Sequence, residues 1–95
     1  MKFLEELGFS PEVIAEIKDN TPDKLLTLLA AQKKLIAENI NYLKNLGITN
    51  YQEIFVRYYD IFLMDSSNFR GVFDKYDPVD LVAKLQKNIN VVEYL

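Results

Sequence analysis

The sequence predicts an all-α fold, a compact bundle or short right-handed-type solenoid of about five to six helices, filling one domain over residues 1–95. Three observations predict it. Apolar residues recur at helical spacing through 22–46 and 50–63, and no segment alternates like a strand between turn residues. A polar side chain precedes proline at Ser10-Pro11, Thr21-Pro22 and Asp77-Pro78, the pattern of an N-cap followed by a first helical residue whose missing N–H costs nothing. Gly8 and Gly47 each follow a Leu that closes an apolar pattern, as a left-handed residue after a helix does.

Taken in order, the first helix runs near 2–7 and stops at Gly8, and the second, near 11–19, starts on Ser10-Pro11-Glu12. The third spans 22–46. Leu29, Ile36, Ile40 and Leu43 fall within about 60° of Leu25 on one side, and Leu28, Leu35 and Leu46 within about 80° on the other. One continuous helix is therefore expected, with Gln32 and Asn39 marking a bend or a buried hydrogen bond. Thr49-Asn50-Tyr51-Gln52 reads as a capping box that opens a helix over 50–63. Ser66 and Ser67 cap a helix near 67–75, and Asp77-Pro78 starts the last one, 78–94.

The 50–63 segment contains 54-IFVRYYDIFLMD-65, and its apolar and aromatic arc covers roughly 160°, wider than an ordinary surface helix needs. It is expected to be the central helix. Three tyrosines complicate that, because a buried Tyr hydroxyl needs a partner or a route to water. Part of the arc would satisfy both demands by facing a partner protein, with Tyr58, Tyr59, Phe62 and Phe69 as the contact and Arg57 and Arg70 at its edge.

Composition narrows the chemistry. The chain has no Cys and no His, so disulfides, thiol nucleophiles, usual zinc sites and imidazole proton transfer are all excluded. Ser66 and Ser67 lack a base, and Asp74, Asp77 and Asp80 lack the ligand spacing and turn glycine of a calcium loop. The glycines at 8, 47 and 71 stand too far apart for a phosphate loop. A non-catalytic chain without catalytic residue, cofactor or metal is expected. No run of about 18 apolar residues is present, so no membrane span is expected and a cytoplasmic location is.

The net charge is −3, distributed unevenly. Residues 1–23 carry six acids and two bases, 24–48 one acid and four bases, and 49–95 seven acids and five bases. Lys33, Lys34 and Lys44 in the basic middle, with Tyr42 to stack on a base, are the candidates for contacting nucleic acid.

The stretches 3-FLEELGF-9 and 42-YLKNLGI-48 repeat a pattern of aromatic, Leu, two polar residues, Leu, Gly and an apolar residue. Together with 7-LGFSPEVIAEIKDNTPDKLL-26, this resembles the repeat of the mitochondrial transcription termination factor family over roughly 60 residues. The second unit lacks a counterpart of Pro22. The resemblance implies helical units stacked in a short solenoid and, in nucleic-acid-binding members, a basic concave face. The ending Tyr94-Leu95 echoes the start of a further unit, so the chain reads also as a fragment of a longer array. The function expected is a small helical protein-interaction module, self-associating or binding another protein. The alternative is a nucleic-acid-binding repeat fragment.

Overall fold

The computed structural model describes residues 2–95, which form seven α-helices and two 3-10 helices with no strand among them. The α-helices are α1 (Lys2–Glu6), α2 (Pro11–Asn20), α3 (Asp23–Ala31), α4 (Lys33–Asn45), α5 (Tyr51–Tyr58), α6 (Ser66–Asp74) and α7 (Pro78–Lys87). The 3-10 helices are Tyr59–Leu63 and Ile89–Tyr94. The Cα radius of gyration is 12.8 Å, against about 12.4 Å for a compact chain of this length. The all-α expectation holds, with more and shorter segments than the sequence indicated.

Both glycine stops are as expected. Gly8 (φ 97°) and Gly47 (φ 93°) lie in the left-handed region. Around each, two hydrogen bonds close the preceding helix in the same way: Phe9 N–H to Leu4 O and Gly8 N–H to Glu5 O, then Ile48 N–H to Leu43 O and Gly47 N–H to Lys44 O. Leu4, Phe9, Leu43 and Ile48 are all buried, so each cap carries the apolar contact that accompanies this motif.

Three expected helices are divided. At Gln32 the backbone leaves the helical region (φ −103°, ψ 23°), which separates α3 from α4 and corrects the single helix over 22–46. Asn39 supplies the buried hydrogen bonds. Its Nδ2 donates to Phe62 O and to Met64 O, each at 3.0 Å. These carbonyls end the 3-10 helix that follows α5, where Tyr58 (φ −131°, ψ 42°) interrupts the helix expected over 50–63. Asn88 (φ −156°, ψ 108°) is extended and ends α7, and its side chain accepts from Asn90 N–H to begin the last 3-10 helix.

The caps are mixed. Ser10 accepts from Val13 N–H and Asp77 from Val79 N–H, as expected. Pro22 rather than Thr21 precedes α3, with no side-chain cap. Asp65, not Ser66 or Ser67, caps α6 by accepting from Asn68 N–H. The capping box at Thr49 does not form, because Gln52 is used elsewhere: it accepts from Ser10 N–H at 2.9 Å and donates to Gly8 O at 3.2 Å.

The core is an aromatic chain. Tyr51, Phe9, Phe55, Phe62, Phe69 and Phe73 follow one another with ring centroids between 4.9 and 5.6 Å apart, mostly edge to face or tilted. It crosses from the α1–α2 turn through α5 to α6, and Ile36, Ile40, Leu43 and Ile54 fill in around it. The central position of 50–63 is thus observed.

Candidate functional site

The six residues expected to bind a partner do not form one surface. Phe62 and Phe69 are completely buried, which corrects their assignment to a contact face. The physical reason is the 3-10 segment: with Tyr59–Leu63 wound tightly and tied to Asn39, Phe62 faces Phe55 at 5.1 Å and Phe69 at 5.3 Å. Tyr58 donates to Asn90 Oδ1 at 2.9 Å and lies under the Arg57 guanidinium, so it fastens the last 3-10 helix to α5. Tyr59 lines a crevice of only about 70 Å³ beside Ile17 and Leu29. Arg70 stands over the ring of Tyr42, on the α4 side.

Tyr42 donates to Asp74 Oδ1. Burial, the hydrogen bond to Asp74 and the Asp74 charge push its hydroxyl up to about 12, against a smaller opposing effect of Arg70. Asp74 and Asp77 are therefore occupied by Tyr42 and by the α7 cap, and Asp80 lies in the first turn of α7. Among the described residues no group of three acidic side chains is placed to hold a metal ion. No helix among them is long and apolar enough to cross a membrane.

The lysines separate into two uses. Lys44 donates to Leu7 O at 2.9 Å and sits over Tyr51, whose hydroxyl donates to the same carbonyl at 3.4 Å. With Gln52 these side chains satisfy the end of α1 and bind it to the α4–α5 corner. Lys44 thereby holds a structural contact with the end of α1.

Lys33 and Lys34 instead stand at the rim of a groove of about 550 Å³ between α1 and the α3–α4 bend. Its floor and wall are Phe3, Leu7, Ala30 and Ala37; its rim is Lys2, Glu6, Lys33 and Lys34. The sequence makes it locally. Small side chains at 30 and 37 keep the α3–α4 side shallow, the Gln32 bend turns the two helices, and the Gly8 cap ends α1 where Leu7 is buried. Its volume lies in the range that ligand and anchor pockets occupy, about 300–1,000 Å³.

The rim has the opposite charge to the rest of the chain. Three lysines and one glutamate give it +2, which leaves −5 for a molecule of net −3. Sequence reading identified Lys33 and Lys34 but not Lys2, Phe3, Ala30 or Ala37. The signal available was the excess of four bases over one acid in residues 24–48. No protein-family model, no curated protein and no solved structure matches the chain.

Proposed function

We propose that the protein is a small, non-catalytic helical interaction module that docks a partner protein in the groove between α1 and the α3–α4 bend. The observation that carries this is the pairing of an apolar floor with a rim of lysines whose charge is opposite to that of the remaining surface. The tyrosine-rich helix serves the core instead.

The test is capture from native lysate with the tagged chain and with an Ala30→Glu, Lys33→Glu variant, each with and without nuclease. Ala30 and Lys33 are both exposed, so the variant preserves the packing beneath them. Proteins retained by the unchanged chain in both arms and lost by the variant support the reading. Identical retention by both chains refutes it.

A second reading is a nucleic-acid-binding fragment of a short helical solenoid, related to transcription termination factors. The matching glycine caps at 8 and 47 and the gathering of Lys2, Lys33 and Lys34 on one rim favour it. Retention that disappears with nuclease supports that reading in place of the first.

A further inference from the structure

The charge and shape of the groove specify its occupant more narrowly. We propose that it takes an acidic amphipathic helix, laying one apolar stripe along Phe3, Ala30 and Ala37 and setting carboxylates against Lys2, Lys33 and Lys34. This rests on the docking reading above.

Two features of the α4 start support an anionic occupant. Lys33 and Lys34 lie in its first turn, where the helix dipole disfavours positive charge, and Gln32 supplies no side-chain cap there. A local rule broken on the surface, with no compensating contact to an acid of the first turn, is expected where function rather than stability selects the residues. Carboxylates from a partner would meet the ammonium groups of the rim.

The floor distinguishes a helix from other anions. Ala30 near the end of α3 and Ala37 in α4 lie on either side of the Gln32 bend, and with Phe3 of α1 and Leu7 just after it they line one apolar trough, which an amphipathic helix fills with anchors spaced i, i+3 or i+4 and i+7. A phosphate polymer would pair with the lysines and leave Phe3 and the alanines uncovered. A folded second copy offers no continuous stripe among its described residues, since its exposed large apolar side chains, Leu28, Val79 and Tyr94, stand on three separate elements. Its acidic helix α2 turns Ile14 and Ile17 into the core, and α7 does the same with Leu81 and Leu85.

The experiment is fluorescence anisotropy with a labelled model peptide of about 16 residues, roughly four helical turns, carrying Leu at i, i+3, i+7 and i+10 flanked by Glu. Three controls accompany it: the same peptide with Lys for Glu, the same with Gln for Leu, and a single-stranded oligonucleotide of equal charge. The Glu–Leu peptide is expected to bind at least about tenfold more tightly than each control, and to weaken with added salt. Lys33→Gln with Lys34→Gln should remove roughly tenfold of that affinity, and Ala30→Glu should remove it as well. Circular dichroism of each variant establishes that it is folded.

Equal binding of the Glu and Lys peptides overturns the proposal, as does equal binding of the Gln-for-Leu peptide or preference for the oligonucleotide. Self-association abolished by Ala30→Glu in sedimentation equilibrium overturns it too, by making a second copy the occupant. If the peptides are not discriminated while the groove variant still loses its lysate partners, the acidic helix is refuted and docking in the groove stands.

Discussion

Replacing Asn39 by aspartate changes little in shape and reverses the chemistry of a buried contact. Asn39 is 1% exposed, and its Nδ2 places both N–H groups on the carbonyls of Phe62 and Met64 at 3.0 Å. The opposite amide orientation would set oxygen against oxygen at that distance, so the orientation follows from the two carbonyls. In Asn39→Asp, a protonated carboxyl retains one donor and loses one hydrogen bond, a cost of about 1 kcal/mol. The ionised carboxylate has no donor, is desolvated and faces two carbonyl dipoles, all of which raise its folded pKa above the unfolded 3.9 or so.

The sign follows. With the folded pKa raised, the folded state holds the proton to higher pH than the unfolded chain, so stability is retained below about pH 4 and falls as pH rises toward the folded pKa. Each unit of displacement costs about 1.4 kcal/mol, and three units, ordinary for a fully buried carboxyl, cost about 4 kcal/mol at neutral pH. That is a large part of the roughly 5–15 kcal/mol that small domains possess. Urea denaturation of Asn39→Asp and the unchanged chain, followed by far-UV circular dichroism at pH 4 and pH 7, measures it. The difference between the two should be small at pH 4 and several-fold larger at pH 7. A difference that does not grow with pH would refute the donor role of Asn39.

Other perturbations have expected outcomes. Tyr42, with its hydroxyl raised to about 12 by burial and by Asp74, holds its proton in the folded state when the unfolded chain has lost it; stability should therefore fall from pH 10 to 12, and Tyr42→Phe should flatten that slope in urea titrations. Phe62→Ala and Phe69→Ala should each cost about 3–5 kcal/mol, read as a lowered urea midpoint, because both rings are fully buried. Gly8→Ala should destabilise more than Gly47→Ala: both have positive φ, costing about 1–2 kcal/mol, but only at Gly8 would a Cβ meet Tyr51 Oη, at 2.9 Å. Gly71→Ala, exposed within α6 with nothing within 4 Å of the new Cβ, should stabilise by up to about 1 kcal/mol in the same assay.

What the sequence disclosed about the fold was whatever local chemistry decides. Gly8 and Gly47 stop helices because only glycine takes their backbone angles at no cost, and Ser10 and Asp77 cap because their acceptors lie within reach of the next turn. Non-local demand overrode the rest. Gln52 left its capping box for Ser10 and Gly8, 42 and 44 residues away, and Asn39 bound carbonyls 23 and 25 residues on. The helical phase of 22–46 placed Leu29, Ile36, Ile40 and Leu43 in the core, although Leu28 is exposed, but periodicity does not record a change in the backbone angles of one residue.

The candidate site was legible only in part for the same reason. Aromatic residues drew attention to Tyr58, Tyr59, Phe62 and Phe69, yet the wide arc of the 50–63 segment serves a core that several other helices complete. Lys33 and Lys34 were legible as part of the basic stretch 24–48, whereas the helix start beneath them was concealed by the unbroken periodicity of 22–46. Their neighbours Lys2 and Phe3 come from α1, far off in the sequence, and Ala30 and Ala37 matter for being small, which no pattern of polarity announces.

The location of the docking surface decides between the groove and the aromatic helix. The most direct measurement is an amide-resolved NMR titration of the uniformly labelled chain with the Glu–Leu peptide. Shifts are expected to concentrate on Phe3, Ala30, Lys33, Lys34 and Ala37, with the amides around Tyr58, Tyr59 and Arg70 unmoved. Shifts centred on α5 and α6 with the groove silent would contradict docking there.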